Sequence, residues 1–158
     1  MEFSWTPEQE ALRARARAIA EDAVARHGAS NDSWMNGFSR EFSRELAALG
    51  WIGMTWPAEF GGAGRPPIER LIVAEELIAA GAPLAATWFA DRQIGPTLIA
   101  YGTADQQATH LPPILAGEVT WCIGMSEPGA GSGLAALTTR ARPEGDHWVI
   151  TGQKTGSS

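Results

Sequence analysis

The sequence predicts an α+β chain in which an all-α bundle over about residues 1–117 precedes a β-region over 118–158. Two observations support this prediction. Up to Gly117, apolar residues recur at helical spacing between strong capping sequences, whereas from Glu118 onwards they alternate with other residues as on a strand. Glycine-rich turns then separate short apolar runs, which is typical of connected strands. We therefore expect two domains, 1–117 and 118–158.

The first helix is expected to begin after Thr6 and to continue to about Ala25. Thr6 can cap its first turn, Pro7 suits that turn, and Gln9 can complete a capping box. The apolar stripe of this segment is thin, which predicts a helix on the outside of the bundle. Gly28 is expected to end it.

Further helices are expected in order along the first domain. Ser39 can cap a second helix that Gly50 closes, after a loop-like segment at 29–37. The stretch 51–64 is rich in turn residues and predicts a connection without long regular structure. A third helix is expected from Pro67 to Gly81.

The bundle is completed by short helices expected at 83–89 and 93–101 and by a last helix after Thr103. Thr103 opens another capping-box sequence. Because proline interrupts helical hydrogen bonding, this helix should bend or stop near residues 112–113, before Gly117.

The β-region begins with an alternating pattern that predicts a first strand at 119–125. Its apolar positions are Val119, Trp121, Ile123 and Met125. A glycine-rich loop follows at 127–133, and two more strands are expected at 137–141 and 147–151. Three strands alone would leave an open edge, so we expect a homo-oligomer or a partner chain to cover it.

Composition excludes several classes of function. The net charge of −6, from 18 acidic and 12 basic residues without a basic block, disfavours nucleic acid as a partner. The single cysteine, Cys122, allows neither a disulfide framework nor a cysteine-rich zinc site, and a reducing cytoplasm fits best. The three histidines lie far apart, so no metal site is expected. No apolar stretch approaches the ~20 residues of a membrane span.

The loop after the predicted first strand is the strongest local signal of chemistry. Glu127, a proline, two glycines and Ser132 stand together there, and such a loop lets backbone N–H groups approach a phosphate closely. The loop is neither a Rossmann fingerprint nor a Walker A loop. An ordinary glycine turn is the competing interpretation.

Six separate stretches, taken in order, resemble the acyl-CoA dehydrogenase family over nearly the whole chain. They read FSWTPEQE from Phe3, ELAALGW from Glu45, WPAEFGG from Trp56, LPPILAGE from Leu111, MSEPGAGS from Met125 and ITGQKT from Ile150. Each stretch is loosely specific, but their order and spacing make coincidence improbable.

The resemblance implies a fold and an activity. The fold is a helical N-terminal domain, a middle β-barrel-like domain that holds FAD, and a C-terminal helical domain that these residues do not include. In such enzymes a carboxylate removes the α-proton of an acyl-CoA substrate while the β-hydrogen leaves as hydride to flavin N5, giving the 2,3-enoyl-CoA. The family's base lies in the C-terminal part, so this chain alone is expected to be inactive. An electron-transfer flavoprotein, or a similar acceptor, is the implied redox partner.

The resemblance also implies site residues. The cofactor-binding positions are Met125, Ser126, Gly131, Ser132 and Ser158. Ser126 would meet the flavin ring, and Ser132 would lie beside the FAD pyrophosphate or the CoA substrate. Ser158 takes the position of a hydroxyl near N5, whereas Met125 could equally be core packing. Glu127 is assigned a structural role, and no catalytic residue is assigned.

Two glycines depart from the family's pattern. Gly133 stands where Asp is common, which should make the loop more mobile. Gly156 stands where an aromatic residue usually covers the flavin. The alternative interpretation of residues 156–158 is that they carry no functional meaning.

The departures at Gly133 and Gly156 favour a second hypothesis, in which the chain is a non-catalytic interaction or acyl-binding module. A third hypothesis is that the chain is a piece of a related flavin monooxygenase or nitroalkane oxidase.

Overall fold

The computed structural model describes residues 4–156 and divides the chain into two compact units, which meet between Trp121 and Cys122 in the sequence. The helices of the first unit are α1 (Pro7–His27), α2 (Ser33–Asn36), α3 (Arg40–Ala48), α4 (Pro67–Ala80), α5 (Ala85–Phe89), α6 (Gly95–Tyr101) and α7 (Ala104–Leu115). The strands of the second unit are β1 (Arg140–Glu144) and β2 (His147–Thr151). The predicted α+β class is confirmed.

Both predicted capping boxes are present. The Thr6 hydroxyl accepts the backbone N–H of Gln9 at 3.3 Å, and the Gln9 side chain accepts the backbone N–H of Thr6 at 2.9 Å. Thr103 and Gln106 repeat this reciprocal pair with the same two distances. At each helix start, two backbone N–H groups that have no partner within the helix are thereby hydrogen-bonded. This explains why α1 and α7 begin where the sequence predicts.

Helix α1 packs along α4 through a narrow face of small residues. The buried residues of α1 are Leu12, Ala16, Ala20 and Ala23. Glu76 of α4 is buried at 6% exposure and accepts Arg13 at 2.7 Å and Arg17 at 2.8 Å from α1. The thin stripe predicted for α1 therefore reflects a helix held by alanine packing and by one buried carboxylate.

The first half of the connection at 51–64 is part of the core, whereas residues 57–64 are mostly exposed. Its buried side chains are Trp51, Ile52, Met54 and Trp56. A single 3₁₀ turn, Ala58–Phe60, interrupts it. Trp88 and Trp121 are partly buried against the same core, as expected of aromatic residues used in packing.

Two details of the helical prediction are corrected. The loop-like segment at 29–37 contains the short helix α2. The two short helices expected near 83–101 are instead joined end to end, because a π-helical turn, Ala90–Ile94, connects α5 to α6. Helix α7, by contrast, stops where the sequence predicts, because it ends at Leu115, just after residues 112–113 and before Gly117.

The strand predicted at 119–125 is wrong. Within residues 4–156 this segment joins no ladder, and beside it only Glu127 and Ala130 form an isolated bridge. Alternation predicts a strand only where a neighbouring strand supplies hydrogen bonds, and β1 and β2 pair with each other. Strand β1 also begins at Arg140, later than the predicted 137.

Candidate functional site

The loop after residue 126 closes on itself. The backbone N–H of Glu127 donates to the carbonyl of Ala130 at 2.8 Å, and the N–H of Ala130 returns to the carbonyl of Glu127 at 3.0 Å. Pro128 and Gly129 occupy the tip of this turn, where a fixed φ and a residue without a side chain suit a sharp reversal. The turn thereby fixes the backbone at Glu127.

The Glu127 carboxylate holds the second unit together. It is buried at 6% exposure and accepts the backbone N–H and hydroxyl of Thr138 at 2.7 and 2.8 Å. It also accepts the backbone N–H of Thr139 at 2.9 Å and the Lys154 ammonium at 3.1 Å. Donors from two distant segments therefore converge on one carboxylate.

These surroundings make Glu127 a poor base. The neighbouring Thr139 hydroxyl, followed by the backbone N–H groups of Thr138 and Thr139, holds the pKa of Glu127 far below its usual range. A carboxylate with such a low pKa has little tendency to take a proton near neutral pH. The geometry supports the structural role that the sequence predicted for Glu127.

Residues 125–126 are fixed beside the segment that follows β2. The Lys154 ammonium donates to the Met125 carbonyl at 3.0 Å, and the Thr155 N–H donates to the Ser126 carbonyl at 2.8 Å. Sequence reasoning missed this role of Lys154. No local pattern could have signalled it, because Lys154 and Glu127 lie 27 positions apart in the sequence.

The predicted site residues lie on the accessible side of this arrangement. Met125 is 49% exposed, Ser126 is partly buried, and Gly131 and Ser132 are exposed. A Cβ placed at Gly131 would meet no atom within 4 Å. The structure brings Met125 and Ser126 together with Lys154, whereas Ser158 lies outside the described residues.

Two of the predicted site residues carry donors that the described residues do not use. Among the described residues, the backbone N–H groups and hydroxyls of Ser126 and Ser132 donate to no protein acceptor. The carbonyls of Met125 and Ser126 each accept one hydrogen bond, from Lys154 and from Thr155. Free N–H and O–H donors suit phosphate oxygens or the carbonyl oxygens of a flavin ring. The residues present therefore fit an FAD-like ligand.

Other kinds of site find no support in the part of the chain that the structure describes. Over residues 4–156, no three histidine, cysteine or acidic side chains gather in a way that could hold a metal ion. In the same residues, every helix is too short or too polar to cross a membrane.

Comparison with known proteins extends these observations. The family described as "Acyl-CoA dehydrogenase, N-terminal domain" matches residues 6–118. The acyl-CoA dehydrogenase FadE26 of Mycobacterium tuberculosis is 37% identical over 100% of this chain and 40% of its own length. The acyl-CoA dehydrogenase IpdE1 of the same organism is 45% identical over 75% of this chain and 31% of its own length.

Solved structures show the same fold. The Tcur3481-Tcur3483 steroid ACAD matches with a TM-score of 0.83 and 38% identity, over 98% of this chain and 40% of that one. The ChsE4-ChsE5 complex from Mycobacterium tuberculosis matches with a TM-score of 0.81 and 37% identity, over 98% of this chain and 39% of that one. The chain thus spans between 31% and 40% of the length of these relatives.

Proposed function

Because the chain belongs to the acyl-CoA dehydrogenase family, we propose that it is part of an FAD-dependent enzyme that oxidises an acyl-CoA thioester to the 2,3-enoyl-CoA. The observation that carries this proposal is the match to dehydrogenases over both the helical unit and the β-region. The activity belongs to the whole protein, and this chain supplies the helical domain, 1–117, and the start of the β-domain, 118–158.

FAD, when bound, would supply the hydride acceptor at N5. The backbone N–H and hydroxyl of Ser126, beside Met125, would hold the acceptor edge of the ring. Gly131 and Ser132 would hold the pyrophosphate, or Ser132 the CoA part of the substrate. Ser158 would contribute a hydroxyl near N5. Glu127 is unsuited to removing the α-proton because its pKa is far below its usual range, so the base is expected from outside this chain.

We propose further that the protein assembles with a second chain, either a copy of itself or a partner chain, and passes electrons to an electron-transfer flavoprotein or a similar acceptor. Two of the matching structures are described as Tcur3481-Tcur3483 and as a ChsE4-ChsE5 complex, which supports a two-chain assembly. The exposed apolar residues Trp148 and Ile150 on β2, at 66% and 71% exposure, support the need for a covering element.

The first test is the visible spectrum of the purified chain after mixing with FAD and gel filtration. Flavin absorbance that co-elutes with the chain is expected, and Ser126→Ala with Ser132→Ala should reduce it. The matched control is Ser30→Ala, a serine of the helical unit. A colourless wild-type peak would contradict FAD binding by this chain.

A second candidate function is a partner-dependent module without catalysis. The observation that favours it is Gly156, whose φ of 62° lies in the left-handed region that an aromatic residue disfavours. A colourless chain that nevertheless co-elutes with a full-length acyl-CoA dehydrogenase would support this function over the first.

A further inference from the structure

We infer that Lys154 is a positioning residue that prepares the edge at residues 125–126 for an acceptor-rich cofactor, an inference that rests on the proposed function. Its ammonium contacts the Met125 carbonyl at 3.0 Å and the Glu127 carboxylate at 3.1 Å. The Lys154 side chain is 25% exposed and that of Glu127 is 4% exposed. This ion pair is therefore much less exposed to solvent than an ordinary surface ion pair.

The first effect of Lys154 concerns hydrogen bonding. Its bond to the Met125 carbonyl and the Thr155 bond to the Ser126 carbonyl hold both carbonyls in place. The Ser126 N–H and hydroxyl have no protein acceptor among the described residues. They can therefore donate to a phosphate oxygen or to a flavin carbonyl, both of which accept hydrogen bonds.

The second effect concerns charge. Glu127 is ionised at neutral pH and lies one residue from Ser126. An uncompensated buried carboxylate would repel an anionic phosphate or an electron-rich flavin ring nearby. The Lys154 ammonium at 3.1 Å cancels this charge.

Most hydrogen bonds of Glu127 do not depend on Lys154, so the positioning role of Lys154 can be tested apart from a role in holding the fold. Three of its donors come from Thr138 and Thr139 and do not involve Lys154. Removal of the ammonium should therefore leave the turn and the start of the strand pair in place. The change should be confined to the edge at 125–126 and to its charge.

The experiment measures the FAD dissociation constant of the 158-residue chain by quenching of flavin fluorescence, together with amide hydrogen exchange without FAD. The variants are Lys154→Met, Lys154→Arg and the double variant Glu127→Gln with Lys154→Met. The matched control is Arg142→Met, which breaks an exposed pair with Glu144 at 3.6 Å in the same unit.

Lys154→Met should weaken FAD binding about tenfold or more, the size expected for a charge-assisted contact. Lys154→Arg should recover most of the loss, and Arg142→Met should change nothing. The double variant should bind FAD better than Lys154→Met, because Glu127→Gln removes the uncompensated charge. Exchange should accelerate at the Thr155 amide while the Thr139 amide stays protected.

Three results would overturn the inference: FAD affinity of Lys154→Met within twofold of the wild type, no recovery in the double variant, or equal loss of protection at Thr139 and Thr155. If the wild-type chain binds no FAD, the proposed function of this chain fails. Amide hydrogen exchange without FAD then tests the role of Lys154. Unchanged protection of the Thr155 amide in Lys154→Met would show that Lys154 does not position residues 125–126.

Discussion

Gly95 lies against the indole of Trp56 so closely that a Cβ at Gly95 would be 1.9 Å from Cζ2 of the ring. The Trp56 indole N–H donates to the Asp91 carbonyl at 3.1 Å, within the π-helical turn. The Asp91 carboxylate in turn accepts the backbone N–H of Gly53 at 2.7 Å. The turn at Ala90–Ile94 is therefore locked to the buried connection at 51–56.

Gly95→Ala is expected to lower the free energy of unfolding by about 1–3 kcal/mol, because the new methyl group would overpack a buried site. The measurement is urea unfolding followed by far-ultraviolet circular dichroism. Thr97→Ala, an exposed position of the same helix, should change stability by less than about 0.5 kcal/mol. Equal stabilities of the two variants would mean that the indole moves aside freely.

Glu76→Gln is expected to lower the free energy of unfolding at neutral pH by about 1–3 kcal/mol. The loss should lie near the lower end of this range because Arg13 and Arg17, the partners of Glu76, are partly exposed. The hydrogen bond from Arg17, with help from Arg13, lowers the pKa of Glu76 below its ordinary 4.5. A lowered acid pKa contributes stability that is present above the unfolded value and is lost as the pH falls through the folded value.

The difference in stability between the wild type and Glu76→Gln should therefore shrink as the pH is lowered below 4.5. Urea unfolding at a series of pH values measures it. Glu75→Gln, at the exposed neighbouring position, is the control and should show a small effect at every pH. A constant difference across the series would mean that the ion pairs contribute nothing.

Thr103→Ala is expected to cost about 1 kcal/mol, because it removes the hydroxyl that accepts the Gln106 N–H at the start of α7. Thr103→Ser should retain most of the stability. Thr120→Ala, an exposed threonine outside any helix, serves as the control in thermal unfolding. A loss in Thr103→Ser as large as in Thr103→Ala would contradict the capping explanation.

Gly133→Asp is expected to leave stability unchanged within about 0.5 kcal/mol, since the position is exposed and a Cβ there meets no atom within 4 Å. Its carboxylate can bond backbone N–H groups of the loop and restrain it. If the proposed function is correct, FAD binding should tighten about two- to tenfold. Fluorescence titration measures this, and Gly133→Ala should show no such gain.

The sequence by itself determined the local structure and the family. Capping boxes at Thr6 and Thr103 act within four residues, so their pattern is enough to predict where α1 and α7 begin. The family-like stretches likewise predicted a cofactor site at the loop over 127–132, with Glu127 in a structural role.

Only the tertiary structure decided which distant groups meet. Burial of the 51–56 connection depends on Gly95 and Asp91, which lie about 40 positions further along the chain. The alternating segment at 119–125 is no strand because hydrogen-bond partners, and not alternation, make a strand. Lys154 reaches Glu127 across 27 positions, and no local pattern encodes a contact whose partners are brought together by the fold.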